Sequence, residues 1–237
     1  MTSVEPLDQQ PGAPDPPYDC PGYGSTRLRA PKMPLQPLPL GLADAQGPVF
    51  GPHQVLPADS DLTQGQPGEP LGERIIVAGR LLDGAGRPVR HQLVEIWQAN
   101  AAGRYHHDND RHPAPLDPNF VGSGRCLTGE DGSYRFVTVK PGAYPWQNHR
   151  NAWRPAHIHF SVFGTSFQQR LVTQMYFPGD PLLAIDPIYR SVRERGAAER
   201  LVSSLDMATT VESWALGYVF DIVLGGRGAT PLGPVGI

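Results

Sequence analysis

The residues of this chain best suited to chemistry are two histidines, His157 and His159, in the stretch WRPAHIHFSV (153–162). The stretch alternates as a strand does, so Ile158, Phe160 and Val162 share one face while His157, His159 and Ser161 share the other. With the apolar set turned to a core, the imidazoles project from the opposite face. Their Cα atoms lie about 7 Å apart by strand rise, near enough to converge on one metal ion at bonds of about 2 Å. Two histidines on a solvated face that serve nothing would give the same motif, so further donors decide the matter.

A zinc site would add Cys or a third His, but Cys126 stands alone and the other histidines (53, 91, 106, 107, 112, 149) form no spaced set beyond the His106-His107 pair. An Fe(II) facial triad or a cupin-like barrel would place a carboxylate just beyond the second His, and residues 160–164 contain no acid. Oxygen of another kind is available: Tyr105 ends GRY, and Tyr144 ends KPGAY just before the histidine strand. Two phenolates with two imidazoles make a hard, anionic N2O2 set suited to a ferric ion.

The elements that must position these residues are short β-type runs separated by turn signals. RIIVAGRLL, LVEIWQA, GRCLT and SYRFVTV are followed by HIHFSVFG, LVTQMYF and YVFDIVLGG, with DGAGRPV and GEDG as turns. The spacing predicts a mainly β chain, an antiparallel β-sandwich with long loops. One short helix is expected within RSVRERGAAERLVSSLDM (190–207), from the spacing of Val192, Leu201, Val202 and Leu205. The stretch from Asn100 to Arg125 exceeds an ordinary connection and so reads as functional.

Of 27 prolines, 15 fall in residues 1–70. That third is expected to be an extended Pro-rich arm, docked through PLQPLPLGL and GPVFG on the domain or on a partner subunit, with residues 71–237 forming one catalytic sandwich domain. A net charge of -3 without basic runs gives no support to nucleic-acid or anionic-membrane binding. The two cysteines, Cys20 and Cys126, do not suggest a disulfide scaffold, and Cys126 reads as a buried free thiol. With no leader-like start and no stretch near the ~18 apolar residues of a span, the expected location is the cytoplasm.

LVEIWQANAAGRY (93–105), RCLTGEDGSYRF (125–136), KPGAYPWQN (140–148) and WRPAHIHF (153–160) resemble the intradiol ring-cleavage dioxygenases. GPVFG, GERIIVAGR, APLDPNF, LVTQMYF, GDPL and FDIVL extend the likeness over nearly the whole chain, and the Pro-rich arm favours the protocatechuate branch, in the manner of its iron-bearing β chain. The resemblance implies a non-haem Fe(III) held by Tyr105, Tyr144, His157 and His159, with Tyr144 and His159 axial, a hydroxide or water as fifth ligand, and no haem, flavin or NAD. Free tyrosine has a pKa of ~10, so ionising it at pH 7 takes roughly 4 kcal/mol, which a trivalent ion can supply.

By the same resemblance a small aromatic diol binds as a chelating dianion that displaces Tyr144 and the hydroxide. The ring rather than O2 is the activated species, and both oxygen atoms enter the product, 3-carboxy-cis,cis-muconate if the substrate is protocatechuate, as in the β-ketoadipate pathway. Arg154 is implied to stabilise the negative charge that develops on the ring, with Gln174 hydrogen-bonding beside it. Trp146 is placed next to the iron, Ile188 on the ring pocket, and Tyr23 near the substrate carboxylate at the mouth. A hetero-oligomer with a homologous, metal-free α chain is implied.

The chain departs from the family at His106-His107, where a more basic stretch is expected, and at WQNHRNAW (146–153). Both bear on which substituted catechol is preferred, with catechol and hydroxyquinol as alternatives. Other readings are a transthyretin-like binding sandwich without chemistry and an Fe(II) or copper HxH oxygenase.

Overall fold

A computed structural model describes residues 16–33, 55–146, 153–165, 169–192 and 194–232. The expected arm contacts through PLQPLPLGL and GPVFG, and the WQNHRNAW departure apart from Trp146 and Trp153, lie outside the described residues.

The strands are β1 (Arg74–Leu82), β2 (Leu93–Trp97), β3 (Ser123–Leu127), β4 (Ser133–Val139), β5 (Tyr144–Pro145), β6 (Trp153–Arg154), β7 (His157–Phe163), β8 (Arg170–Tyr176), β9 (Ser204–Leu205), β10 (Leu216–Val219) and β11 (Ile222–Val223). One sheet runs β3-β2-β7-β8, antiparallel throughout. In the other, β1 pairs antiparallel with β4 but parallel with β10 and β11, and β9 joins β10. The antiparallel expectation therefore holds for one layer, whereas the other is mixed. The chain returns from a long excursion in the direction of β1, a pairing no local sequence pattern encodes. At the step from β10 to β11 the backbone presses on Gly79, where a Cβ would sit 2.0 Å from the Phe220 carbonyl oxygen.

The core lies between the sheets. Ile75, Val77 and Leu81 of β1 and Phe136 of β4 meet Val94, Ile96, Ile158, Phe160, Val162 and Met175 of the second layer. Burying Ile158, Phe160 and Val162 is worth roughly 1.5–3 kcal/mol each. A slip of one residue in β7 would turn the histidines into the space between the sheets and that set away from it, so the core fixes which face His157 and His159 occupy.

Helix is short, as the sequence predicts, but more divided. Within 190–207 helix forms over Arg195–Glu199 and at Arg190 and Ser191, the end of a separate helix Pro187–Ser191, while another short helix, Thr26–Arg29, stands in the N-terminal region. The Arg195–Glu199 helix stops because the backbone is claimed by β8: Tyr176 N–H donates to the Leu201 carbonyl at 2.8 Å and Ser203 N–H to the Tyr176 carbonyl at 2.9 Å. Among the described residues no helix is long and apolar enough to cross a membrane.

Candidate metal centre

Backbone pairing brings the polar groups together. His159 lies opposite Trp97 on one side and Gln174 on the other, and His157 lies opposite Tyr176. The short ribbon β5–β6 pairs Tyr144 with Arg154, three residues ahead of His157.

Tyr105 arrives on a loop tied to the same ribbon. Asn100 Oδ1 accepts from the N–H groups of Ala102 and Arg104, both at 3.0 Å, and the Asn100 carbonyl accepts from Gly142 at 2.9 Å. Gly103 has φ 80°, and a Cβ there would lie 2.2 Å from the Ala143 carbonyl oxygen. Only glycine lets GRY press against the segment carrying Tyr144. The backbone N–H of Tyr105 donates to Asp110 Oδ2 at 2.7 Å.

In this arrangement the Tyr144 hydroxyl lies 3.3 Å from His157 Nε2, and the Tyr105 hydroxyl 3.1 Å from His159 Nε2. The two imidazole centroids are 4.9 Å apart, and the two phenol rings meet edge-on at 5.4 Å. Nδ1 of His157 donates to the Pro155 carbonyl at 2.7 Å, which leaves Nε2 as the lone-pair nitrogen turned to Tyr144. The His159 ring stacks on Trp97 with centroids 4.8 Å apart and planes 5° from parallel.

Electrostatics favour the neutral form of the donors whose titration is displaced. Burial, then the charge of Arg154, drives His157 well below the usual histidine range. His159 is driven down by burial, then by His157 and Arg154. Burial, then Tyr144, pushes the Tyr105 phenol well above the range of free tyrosine. The cluster thus presents two imidazole lone pairs and two phenol oxygens. Two imidazoles kept unprotonated and oxygens that gain charge on losing a proton suit a small, highly charged cation. Among the described residues no group of three or more His, Cys, Asp or Glu could hold a metal, so a site here depends on its tyrosines.

Arg154 is buried beside the cluster, with 2 % of its surface exposed. Its Nη1 faces His157 Nε2 at 3.3 Å, and its Nη2 donates to Gln174 Oε1 at 2.6 Å. Burial opposes its charge, but Tyr176, Asp186 and Tyr144 outweigh this and hold it above the ordinary arginine value. Trp146 covers the guanidinium, with Cζ 5.4 Å from the ring centroid, and Tyr23 meets Trp146 edge-on at 4.7 Å. Tyr23 is itself 1 % exposed and capped by Arg29. Ile188 is buried at the start of its helix, two residues from Asp186. His106 and His107 are exposed, and His107 Nδ1 accepts from the Asn109 N–H at 3.1 Å.

Three neighbours escape a reading by motif. Tyr176 shares a strand face with Gln174, a period-2 relation that could have found it. Trp97 shares a face with Glu95 and becomes a neighbour of His159 only through strand register. Asp186 precedes a proline at a helix start and so reads as a simple cap.

Comparison with known proteins places the chain among relatives. A family model described as "Dioxygenase" matches residues 45–226, and one described as "Protocatechuate 3,4-dioxygenase beta subunit N terminal" matches residues 9–40. The protocatechuate 3,4-dioxygenase beta chain of Burkholderia cepacia is 60% identical over 219 residues, 92% of this chain and 93% of that one. The protocatechuate 3,4-dioxygenase alpha chain of Pseudomonas putida is 29% identical over 211 residues, 84% of this chain and 98% of that one. Among solved structures, 3-chlorocatechol 1,2-dioxygenase of Rhodococcus opacus 1CP superposes with a TM-score of 0.54 at 25% identity, covering 78% of this chain and 73% of that chain.

Proposed function

The chain belongs to the intradiol dioxygenase family, and from that premise we propose that it cleaves protocatechuate with O2 to 3-carboxy-cis,cis-muconate at a non-haem Fe(III) site. The observation that carries this reading is the convergence of Tyr105, Tyr144, His157 and His159, each phenol oxygen within 3.3 Å of an imidazole Nε2. These four residues would hold the ion. When bound, it would withdraw electron density from a chelated diol, so that a ring carbon reacts with O2 without an external reductant.

The chain's own groups do the rest. Tyr144 Oη, on a ribbon of two residues per strand, is the group to leave the cluster and take up a substrate proton. Arg154 Nη1 is the donor aimed at the reacting region, where negative charge develops in the transition state. Gln174 holds Nη2 of the same guanidinium. Trp146 and Tyr23 form a wall over Arg154, with Tyr23 assigned to the mouth and Ile188 to the ring pocket.

We assign residues 1–70 to an arm that docks on the catalytic domain, 71–237. Burial of Tyr23 against Trp146 and the match of residues 9–40 to a β-subunit N-terminal model support this. Likeness to both the beta and the alpha chains of protocatechuate 3,4-dioxygenases supports assembly with a homologous α chain. We propose a cytoplasmic location for this chain.

The test is oxygen uptake by the iron-loaded protein with protocatechuate, catechol and hydroxyquinol, followed by mass analysis of the product formed under isotopically labelled O2. Two labelled oxygens in a carboxymuconate are expected. A product cleaved outside the two hydroxyl-bearing carbons, or turnover that requires NADH, would overturn the reading.

A further inference from the structure

The guanidinium of Arg154 is fixed more completely than a stabilising cation requires. Asp186, with no exposed surface, takes Nε on Oδ1 at 3.1 Å and Nη2 on Oδ2 at 2.9 Å. This side-on grip locks the plane of the fork as well as its position. The Tyr176 hydroxyl lies 3.0 Å from both Arg154 Nη2 and Asp186 Oδ2 and 2.9 Å from Gln174 Oε1, closing the network. Nη1 is left as the end of the fork that faces His157.

Capping does not account for this. Asp186 Oδ1 accepts the Ile188 N–H at 3.2 Å, which a single exposed oxygen could do for a five-residue helix. Here both oxygens are buried and both are engaged by one guanidinium. Pro187 follows directly and fixes the backbone on which the carboxylate stands.

We propose that Asp186 is the positioning residue for Arg154: its carboxylate clamps Nε and Nη2, so that only Nη1 is presented to the reacting ring. The proposal rests on the ring-cleavage reading for the use of Nη1, but not for the clamp itself. One Nη1 hydrogen points to His157 Nε2. If that lone pair were committed to a cation, the hydrogen would be free to serve a ligand bound beside it. A guanidinium free to rotate would follow it less faithfully, so the clamp raises turnover rather than affinity.

The experiment is a double-mutant cycle of Asp186→Asn and Arg154→Ala in the full chain, iron-loaded and co-expressed with an α chain. Asp186→Asn is expected to lower kcat for protocatechuate about 100-fold, with KM within roughly threefold and with iron content and the resting visible spectrum unchanged. In the Arg154→Ala background the same change should alter kcat by less than about twofold. Melting of the metal-free protein gives a readout independent of activity. Asp186→Asn should lower Tm by roughly 10 °C, and much less once Arg154 is alanine. Should Asp186→Asn fail to fold, Tyr176→Phe replaces it, with a loss of about five- to tenfold in kcat that vanishes beside Arg154→Ala.

Multiplicative losses in kcat together with additive losses in Tm would overturn the proposal. Absence of ring cleavage in the unaltered enzyme would instead sink the functional reading and leave the melting cycle to judge the clamp.

Discussion

Tyr144 and Arg154 are cross-strand partners in a two-stranded ribbon, and both bring a polar atom to within 3.3 Å of the same nitrogen, Nε2 of His157. A phenol and a buried guanidinium are thus delivered to one imidazole by a sheet of two residues per strand. Tyr144→Phe keeps the edge-on packing against Tyr105 and removes only the oxygen. Expected are retention of most of the iron, an altered visible band and a fall in kcat of at least about 100-fold, read by iron analysis and steady-state kinetics. Unchanged turnover would remove Tyr144 from the proposed proton transfer.

Trp97 stacks almost flat on His159 and restricts its ring. Trp97→Leu should leave the sandwich folded and weaken iron binding by about 10- to 100-fold, as loss of an orienting neighbour does at other metal sites. Competition with a chelator of known affinity measures this. Equal affinity in both proteins would show that strand register alone orients the imidazole.

Gly103 lets the Tyr105 loop touch the carbonyl of Ala143. Gly103→Ala must relieve both a 2.2 Å approach and a φ of 80°. It should cost more than about 1 kcal/mol in urea denaturation of the metal-free protein and lower iron occupancy as Tyr105 moves away. A fully stable, fully loaded variant would mean that the loop finds another path.

Cys126 is free but only partly buried against the core, short of the full burial expected from sequence, and that burial still pushes its thiol up to about 12. At pH 8 almost none of it is thiolate, so iodoacetamide should label it only after denaturation. The sign for stability follows from linkage: between the ordinary value of 9.0 and about 12, the folded state keeps a proton that the unfolded chain has lost. That contribution to stability therefore falls as pH rises through this window, and Cys126→Ala should flatten the decline in urea midpoints. Rapid labelling of the native protein at pH 8 would contradict it.

Much of this site could be read from sequence because it obeys short-range rules. The alternation of Ile158, Phe160 and Val162 with His157 and His159 is a period-2 pattern, and Arg154 sits three residues before the first imidazole. What stayed hidden depends on pairing between distant segments. Trp97 reaches His159 through antiparallel register, and Asp186 reaches Arg154 across 32 residues. The parallel contact of β1 with β10 joins strands more than a hundred residues apart. The shortened helix has the same origin, since Leu201 and Ser203 exchange helical hydrogen bonds for bonds to Tyr176.

Sharing of one ferric ion by phenol oxygens and imidazole nitrogens is tested most directly by the visible spectrum of the iron-loaded protein. A red-brown protein is predicted, with a charge-transfer band that shifts when protocatechuate is added without oxygen and weakens in Tyr105→Phe. A colourless protein carrying one iron per chain would contradict it.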